Sequence, residues 1–204
     1  MKRMSDLLRL NRNTIDTGNN AWAMIALLAL HRRVRNQDHL DAARRIGIFL
    51  EDFRNTTGTY QGFQSGLENF PESPNLTPRI YASSEHNEDL IAGYASLFKA
   101  TGEVRWQMDT QHAQQFVEAM WETQRGCYLT GTVNPETRNA NSGQLPLDVQ
   151  AWSVLALPGT LTIHPQILNC AEQNHRRWIM TEMAGRMWQY FDHQMGFGIY
   201  NKAH

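Results

Sequence analysis

Cysteine is scarce in this chain of 204 residues: only Cys127 and Cys170 occur, far apart and without the short spacing of a metal-ligand pair. A reducing compartment or no redox role is the expectation, the two cysteines then being small core residues. Neither sign of charge prevails. With 19 Lys and Arg against 20 Asp and Glu, the net charge of −1 leaves no electrostatic footprint for nucleic acid or an anionic membrane. Long apolar runs are missing too, since Ala21 to Leu30, the longest, falls short of the ~20 residues that span a bilayer. Met1 to Asn13 holds basic residues but no apolar segment of signal-peptide length, so a cytoplasmic location is expected. Also absent are a glycine-rich phosphate loop followed by lysine, a Gly-x-Ser-x-Gly nucleophile elbow and a His-Glu-x-x-His zinc pattern. No cofactor and no metal is therefore expected.

What is present is a threefold repetition. An apolar helix, a turn, an amphipathic helix and a glycine-aromatic loop run from DTGNNAWAMIALLAL through DHLDAARRIGIFLEDF to GTYQGF. The same order returns in SSEHNEDLIAGYASLF, a helix ending FVEAMW, and GCYLTG, and again in LPLDVQAWSVLAL, a helix with RMW near its end, and GFGIY. Ala21-Trp22 recurs as Ala151-Trp152, Met120-Trp121 as Met187-Trp188, and the loops close at Gly58, Gly126 and Gly196. One helical hairpin per repeat follows, in a single domain.

The two helices of each hairpin differ in pattern. Ala21 to Leu30 is apolar on every face, as a helix buried all round would be, and Leu90 to Phe98 and Val149 to Leu157 are similar. Their partners carry one stripe only: Leu40, Ala43, Ile46, Gly47, Leu50 and Phe53; Trp106, Ala113, Phe116, Val117 and Met120; Ile167, Leu168, Ala171, Trp178 and Ile179. Alternation of that kind predicts an all-α toroid or solenoid with inner and outer layers. Two long polar connections, Gln61 to Ser83 and Gly131 to Pro146, each lead into an inner helix, so both belong to one rim.

At that rim each inner helix begins with an acid: Asp16, Glu85 and Asp148. Parallel inner helices would converge these residues on one pocket. Asp16 and Asp148 are equally readable as helix caps, whereas Glu85 and His86 are harder to explain that way. Around them stand Asn87, Glu88 and Asp89, an unusual density of titratable and hydrogen-bonding groups. His31, His39 and His112 are expected on solvated outer faces. Trp22 and Trp152 either pack in the core or offer a ring face to a sugar.

DTGNNAW, YASSEHNEDL and LPLDVQAWSVLAL together resemble segments of bacterial proteins of the six-hairpin glycosidase-like superfamily, over roughly Asp16 to His175. Glu85, His86 and Asn87 match the superfamily's Ser-Thr-Glu-His-Asn-like segment, with Ser84 in place of threonine. The resemblance implies an (α/α) toroid of which residues 1–204 hold about three of six hairpins, and a saccharide as substrate. Glycoside hydrolysis needs two carboxyls, separated by about 6.5 to 9.5 Å for inversion and about 5 to 5.5 Å for retention. Glu85 is then the general acid, Asp148 or Asp16 the base that holds water, and inversion the expected outcome. His86, Asn87 and Asp89, with Trp22 and Trp152, would bind the sugar. Three hairpins also imply exposed inner-helix edges and a homodimer that completes the ring. The rival reading is a non-catalytic helical-repeat binding module or an inactive fragment.

Overall fold

The computed structural model describes residues 14–68, 76–138, 145–183 and 186–193. Met1 to Asn13, the Asn139 to Gly143 stretch and the closing GFGIY lie outside the described residues. Three helical hairpins stand side by side, as the repetition predicts. The inner helices are α1 (Thr17–Val34), α3 (Ser84–Thr101) and α5 (Leu147–Ala156). Their outer partners are α2 (Gln37–Glu51), α4 (Val104–Ala119) and, after a short α6 (Thr160–Ile163), α7 (Ile167–His175). Helix α3 packs between α1 and α5, while each outer helix backs its own inner one.

Local chemistry sets the helix ends. Asp16 caps α1, its carboxylate accepting the Asn19 N–H at 3.1 Å. Asn36 caps α2 by accepting the Asp38 N–H at 2.8 Å, and left-handed Gly102 closes α3 on the Phe98 carbonyl. Between the layers lies a continuous core of Met24, Leu50, Phe63, Leu90, Tyr94, Leu97, Trp106 and Phe116. Tyr94 stacks on Trp106 at 5.8 Å, and its hydroxyl donates to the Gly47 carbonyl at 3.1 Å. A long buried phenol needs such a partner.

Short strands tie the loops to the rim. Strand β1 (Ile15–Asp16) pairs antiparallel with β2 (Gly66–Glu68), which pairs with β3 (Thr77–Pro78). Further on, β4 (Trp121–Glu122) pairs with β5 (Cys127–Tyr128), and β6 (Thr132–Asn134) with β7 (Thr137–Arg138). Gly66 lies opposite Asp16 and Gly131 opposite Ser83, so both loops cross directly beneath an inner-helix cap. Both glycines have φ above +100°, and a Cβ there would meet the Ile15 or Ala82 carbonyl oxygen at about 2 Å. Only glycine fits.

Four expectations are corrected by the tertiary arrangement. The all-round burial read from the apolar runs of α1 and α5 gives way to the exposed edges that three hairpins imply: Trp22 is 49 % and Leu155 82 % exposed, because each helix has an inner neighbour on one flank only. Second, the helix expected through Trp178, Ile179, Met187 and Trp188 ends at His175. Strands β8 (Arg176–Met183) and β9 (Arg186–His193) follow it as an antiparallel pair, with Trp178 opposite Phe191 and Ile179 opposite Tyr190. Those aromatic and β-branched residues suit a pleated ribbon as well as a helical stripe. Third, Cys127 and Cys170 form a disulfide joining β5 to α7, which counts against a reducing compartment. Fourth, His112 is buried, its ring edge-on to Phe63 at 5.4 Å, not solvated.

Candidate functional site

Superposing the hairpins on their helix caps shows how the rim is built. Thr17 and Ser84 each open an inner helix and each donate a hydroxyl to a carbonyl of the loop that closes their own hairpin, Gln64 at 2.7 Å and Leu129 at 2.6 Å. Three residues later stands a carboxamide: Asn20, Asn87 and Gln150. Asn20 donates to the Asp16 carbonyl at 2.8 Å, as Asn87 does to Ser83. Asn87 also takes the Phe63 N–H at 2.9 Å and returns a hydrogen bond to the Phe63 carbonyl at 3.0 Å. Gln150 repeats this pair on Tyr128 at 2.9 and 2.8 Å. Asn87 is therefore a buried clamp between helix and loop, with its amide spent on backbone rather than turned to a ligand. The recurring hydroxyl-x-x-amide spacing, Thr17 to Asn20 and Ser84 to Asn87, is the sequence signal that would have found it.

The same superposition makes Gly18, Glu85 and Asp148 equivalent. Asp16 comes from two residues earlier. Gly18 carries no side chain because the His86 ring occupies the place, and a Cβ would lie 2.5 Å from its Cδ2. Asp16 reaches the site as a cap whose Oδ1 lies 3.4 Å from His86 Nε2 and whose Oδ2 accepts from Arg79 at 3.1 Å. Arg79, from the loop after β3, also faces Glu68 at 3.5 Å. No repeat pattern marks Arg79, which only the β1-β2-β3 pairing brings into place.

A cavity of about 410 Å³ opens at this rim, lined by Asp16, Tyr81, Glu85, His86, Thr130 and Val149 among others. Burial raises the Glu85 carboxyl above the usual carboxylate range, and the charges of Asp148 and Asp16 raise it further. Burial lowers the His86 imidazole, opposed by Asp16 and assisted by Arg79, so the ring favours its neutral form. Asp148 stands outside the cavity lining but close enough to act on Glu85, with Oδ1 accepting the Val149 N–H at 2.8 Å.

One turn further along the inner helices stand Trp22, Asp89 and Trp152, equivalent positions of the three repeats. The two indoles meet edge to face at 5.8 Å. Asp89 is 5 % exposed, and its carboxyl is pushed up to about 8 by burial and by Glu85, while a hydrogen bond from Trp22 opposes the shift. Glu88 is buried beside it, accepting from Ser153, and burial pushes it well above the ordinary range. Asp89 thus keeps its proton at neutral pH. For such a carboxyl, stability is greatest at low pH and falls as pH rises through the window between about 4 and about 8, where the unfolded chain has already ionised. Asp89→Asn is expected to flatten that fall in thermal unfolding curves taken from pH 4 to 9. An unchanged pH profile would show that Asp89 ionises normally.

Among the described residues, no group of three or more His, Cys, Asp or Glu side chains is arranged to hold a metal ion. No described helix is long and apolar enough to cross a membrane. Parallel inner helices backed by outer ones, hydroxyl-amide clamps and a rim cavity give the chain the fold of a partial (α/α) toroid, with about three hairpins present. Its structure is similar to a family 76 glycoside hydrolase from a bovine Bacteroides thetaiotaomicron strain, with a TM-score of 0.61 and 13 % identity over 87 % of this chain and 39 % of that one. It is also similar to a D-mannose isomerase (0.57, 14 % identity, 78 % and 39 % of the two chains). A cellobiose 2-epimerase from Bacillus thermoamylovorans matches at 0.58 and 10 % identity, over 85 % and 50 %. The chain spans half or less of the length of each. Neither a protein-family model nor a curated protein sequence matches it.

Proposed function

We propose that this chain carries a saccharide-processing site whose reaction is glycoside hydrolysis with inversion. The observation behind it is Glu85, a carboxyl that burial raises above the ordinary carboxylate range at the wall of a rim cavity, with a second carboxylate close enough to raise it further. A protonated carboxyl there can give its proton to a leaving glycosidic oxygen. Asp148 is the better base, because both oxygens of Asp16 face His86 or Arg79. Trp22 and Trp152 would stack on a sugar ring, with Asp89 and His86 on its hydroxyls. The neighbours named as a glycoside hydrolase, an isomerase and an epimerase support carbohydrate chemistry.

A second reading draws on His86. A buried, neutral imidazole facing Asp16 is a base suited to moving a proton on a sugar carbon, as isomerisation or epimerisation requires. Proton NMR of the chain with a panel of oligosaccharides and free hexoses separates the two. Release of a reducing sugar supports hydrolysis, and a new epimer or ketose without bond cleavage supports the second reading. Binding without any turnover would leave a recognition module.

The exposed flanks of α1 and α5 are consistent with a second copy completing the ring, since two such chains hold about six hairpins. Light scattering should then give a dimer mass, and a monomer at all concentrations would reject the closed ring.

A further inference from the structure

A second cavity lies at the opposite end of the inner helices. It measures about 370 Å³ and sits between the C-terminal turns of α1 and α3. Ile25, Leu28, Ala29 and Ala100 line it on its apolar side, and Arg32, Arg35 and Lys99 on its cationic side, with His31 and the Ser96 hydroxyl beside them. Among the described residues, no carboxylate lines it. Among the described residues, none of the ion pairs engages Arg32, Arg35 or Lys99. Three cationic side chains from two helices thus converge on one hollow without a counter-charge.

Helix polarity explains part of this, since a cation in the last turn complements the partial negative charge of the free carbonyls. Because α1 and α3 are adjacent and parallel, their last turns, and the cations in them, meet at the same cavity. What polarity does not explain is Arg35, the only non-glycine described residue with positive φ, held at 56° as the cap of α1. The matching cap of α3 is Gly102, at 72°. Glycine or asparagine takes this left-handed conformation with less strain. An arginine in that conformation, with its side chain on the cavity wall, points to a use for the guanidinium.

We propose that this cavity is an anion site that takes a phosphoryl group, either as free phosphate or carried on a sugar. Guanidinium groups bind phosphoryl oxygens in a planar, two-pronged manner, and an ammonium group adds a point charge. The site is separate from Glu85, because 14 residues of α3 separate Glu85 from Lys99, roughly 21 Å along a helix at 1.5 Å per residue. It stands whether or not the saccharide reading holds.

Calorimetric titration of the full chain at low ionic strength tests this, using inorganic phosphate, a hexose 6-phosphate and the unphosphorylated hexose. Both phosphoryl ligands are expected to bind saturably, and more weakly as salt is added. Tighter binding of the hexose phosphate identifies a sugar phosphate as the ligand, and equal binding identifies free phosphate. Arg35→Gly, which relieves the left-handed backbone, and Lys99→Gln are each expected to weaken binding about tenfold, equivalent to about 1.4 kcal/mol. Thermal unfolding of Arg35→Gly should occur no lower than in the parent. Absence of saturable phosphate binding, or affinity unchanged in either variant, would overturn the proposal.

Discussion

Replacing Glu85 by glutamine is expected to lower turnover of a responsive saccharide about 10²- to 10⁴-fold, the usual contribution of a positioned general acid. Glutamine keeps the shape of the side chain and removes the transferable proton. The pH profile gives the sharper test. Burial and the charges of Asp148 and Asp16 raise the Glu85 carboxyl, so the acid form persists above the ordinary carboxylate range. Activity should hold at lower pH and decline as pH rises through that raised value. In Glu85→Gln this declining limb should vanish along with the rate. If the variant turns over at the parental rate, the acid is another group, and Asp89, protonated up to about pH 8, is the next candidate.

Removing the disulfide is expected to lower stability by about 4 kcal/mol. Cys127 and Cys170 are separated by 43 residues, and closing a loop of that length restricts the unfolded chain by about this amount in the chain-entropy model. The bond holds α7 to the loop of the second hairpin. Double replacement by serine should lower the thermal midpoint, and a reducing agent should do the same to the parent protein. Two thiols that react freely in the folded, untreated protein, with no change in midpoint on replacement, would show that the link does not form. Both sulfurs are buried, so steric access does not supply such a reaction in the bonded state.

Much of the hairpin order was legible in periodicity. The contrast between DTGNNAWAMIALLAL and the striped DHLDAARRIGIFLEDF assigns α1 and α2 to inner and outer layers. The end of the third outer helix was not legible, because Trp178 and Ile179 fit a helical stripe and a strand equally well until a pairing partner is known. The rim was legible in part. Glu85 and His86 line the cavity with Asp16, yet Asn87, adjacent to both in sequence, turns inward to clamp Phe63. Adjacent helical residues point about 100° apart, so a run of polar letters mixes ligand-facing and structural side chains.

By itself the sequence determined the helices, their pairing into three hairpins and the acidic entrance to each inner helix, because these depend on residue spacing along one element. Which carboxyls lose water, which inner-helix faces stay uncovered, and which residues distant in sequence meet were decided only by the tertiary structure. Arg79 reaches Asp16 through strand pairing, Cys127 meets Cys170 across 43 residues, and Trp22 meets Trp152 through the parallel alignment of α1 and α5 around α3. Burial and charge proximity are properties of three-dimensional neighbours, and no periodicity within a single helix encodes them.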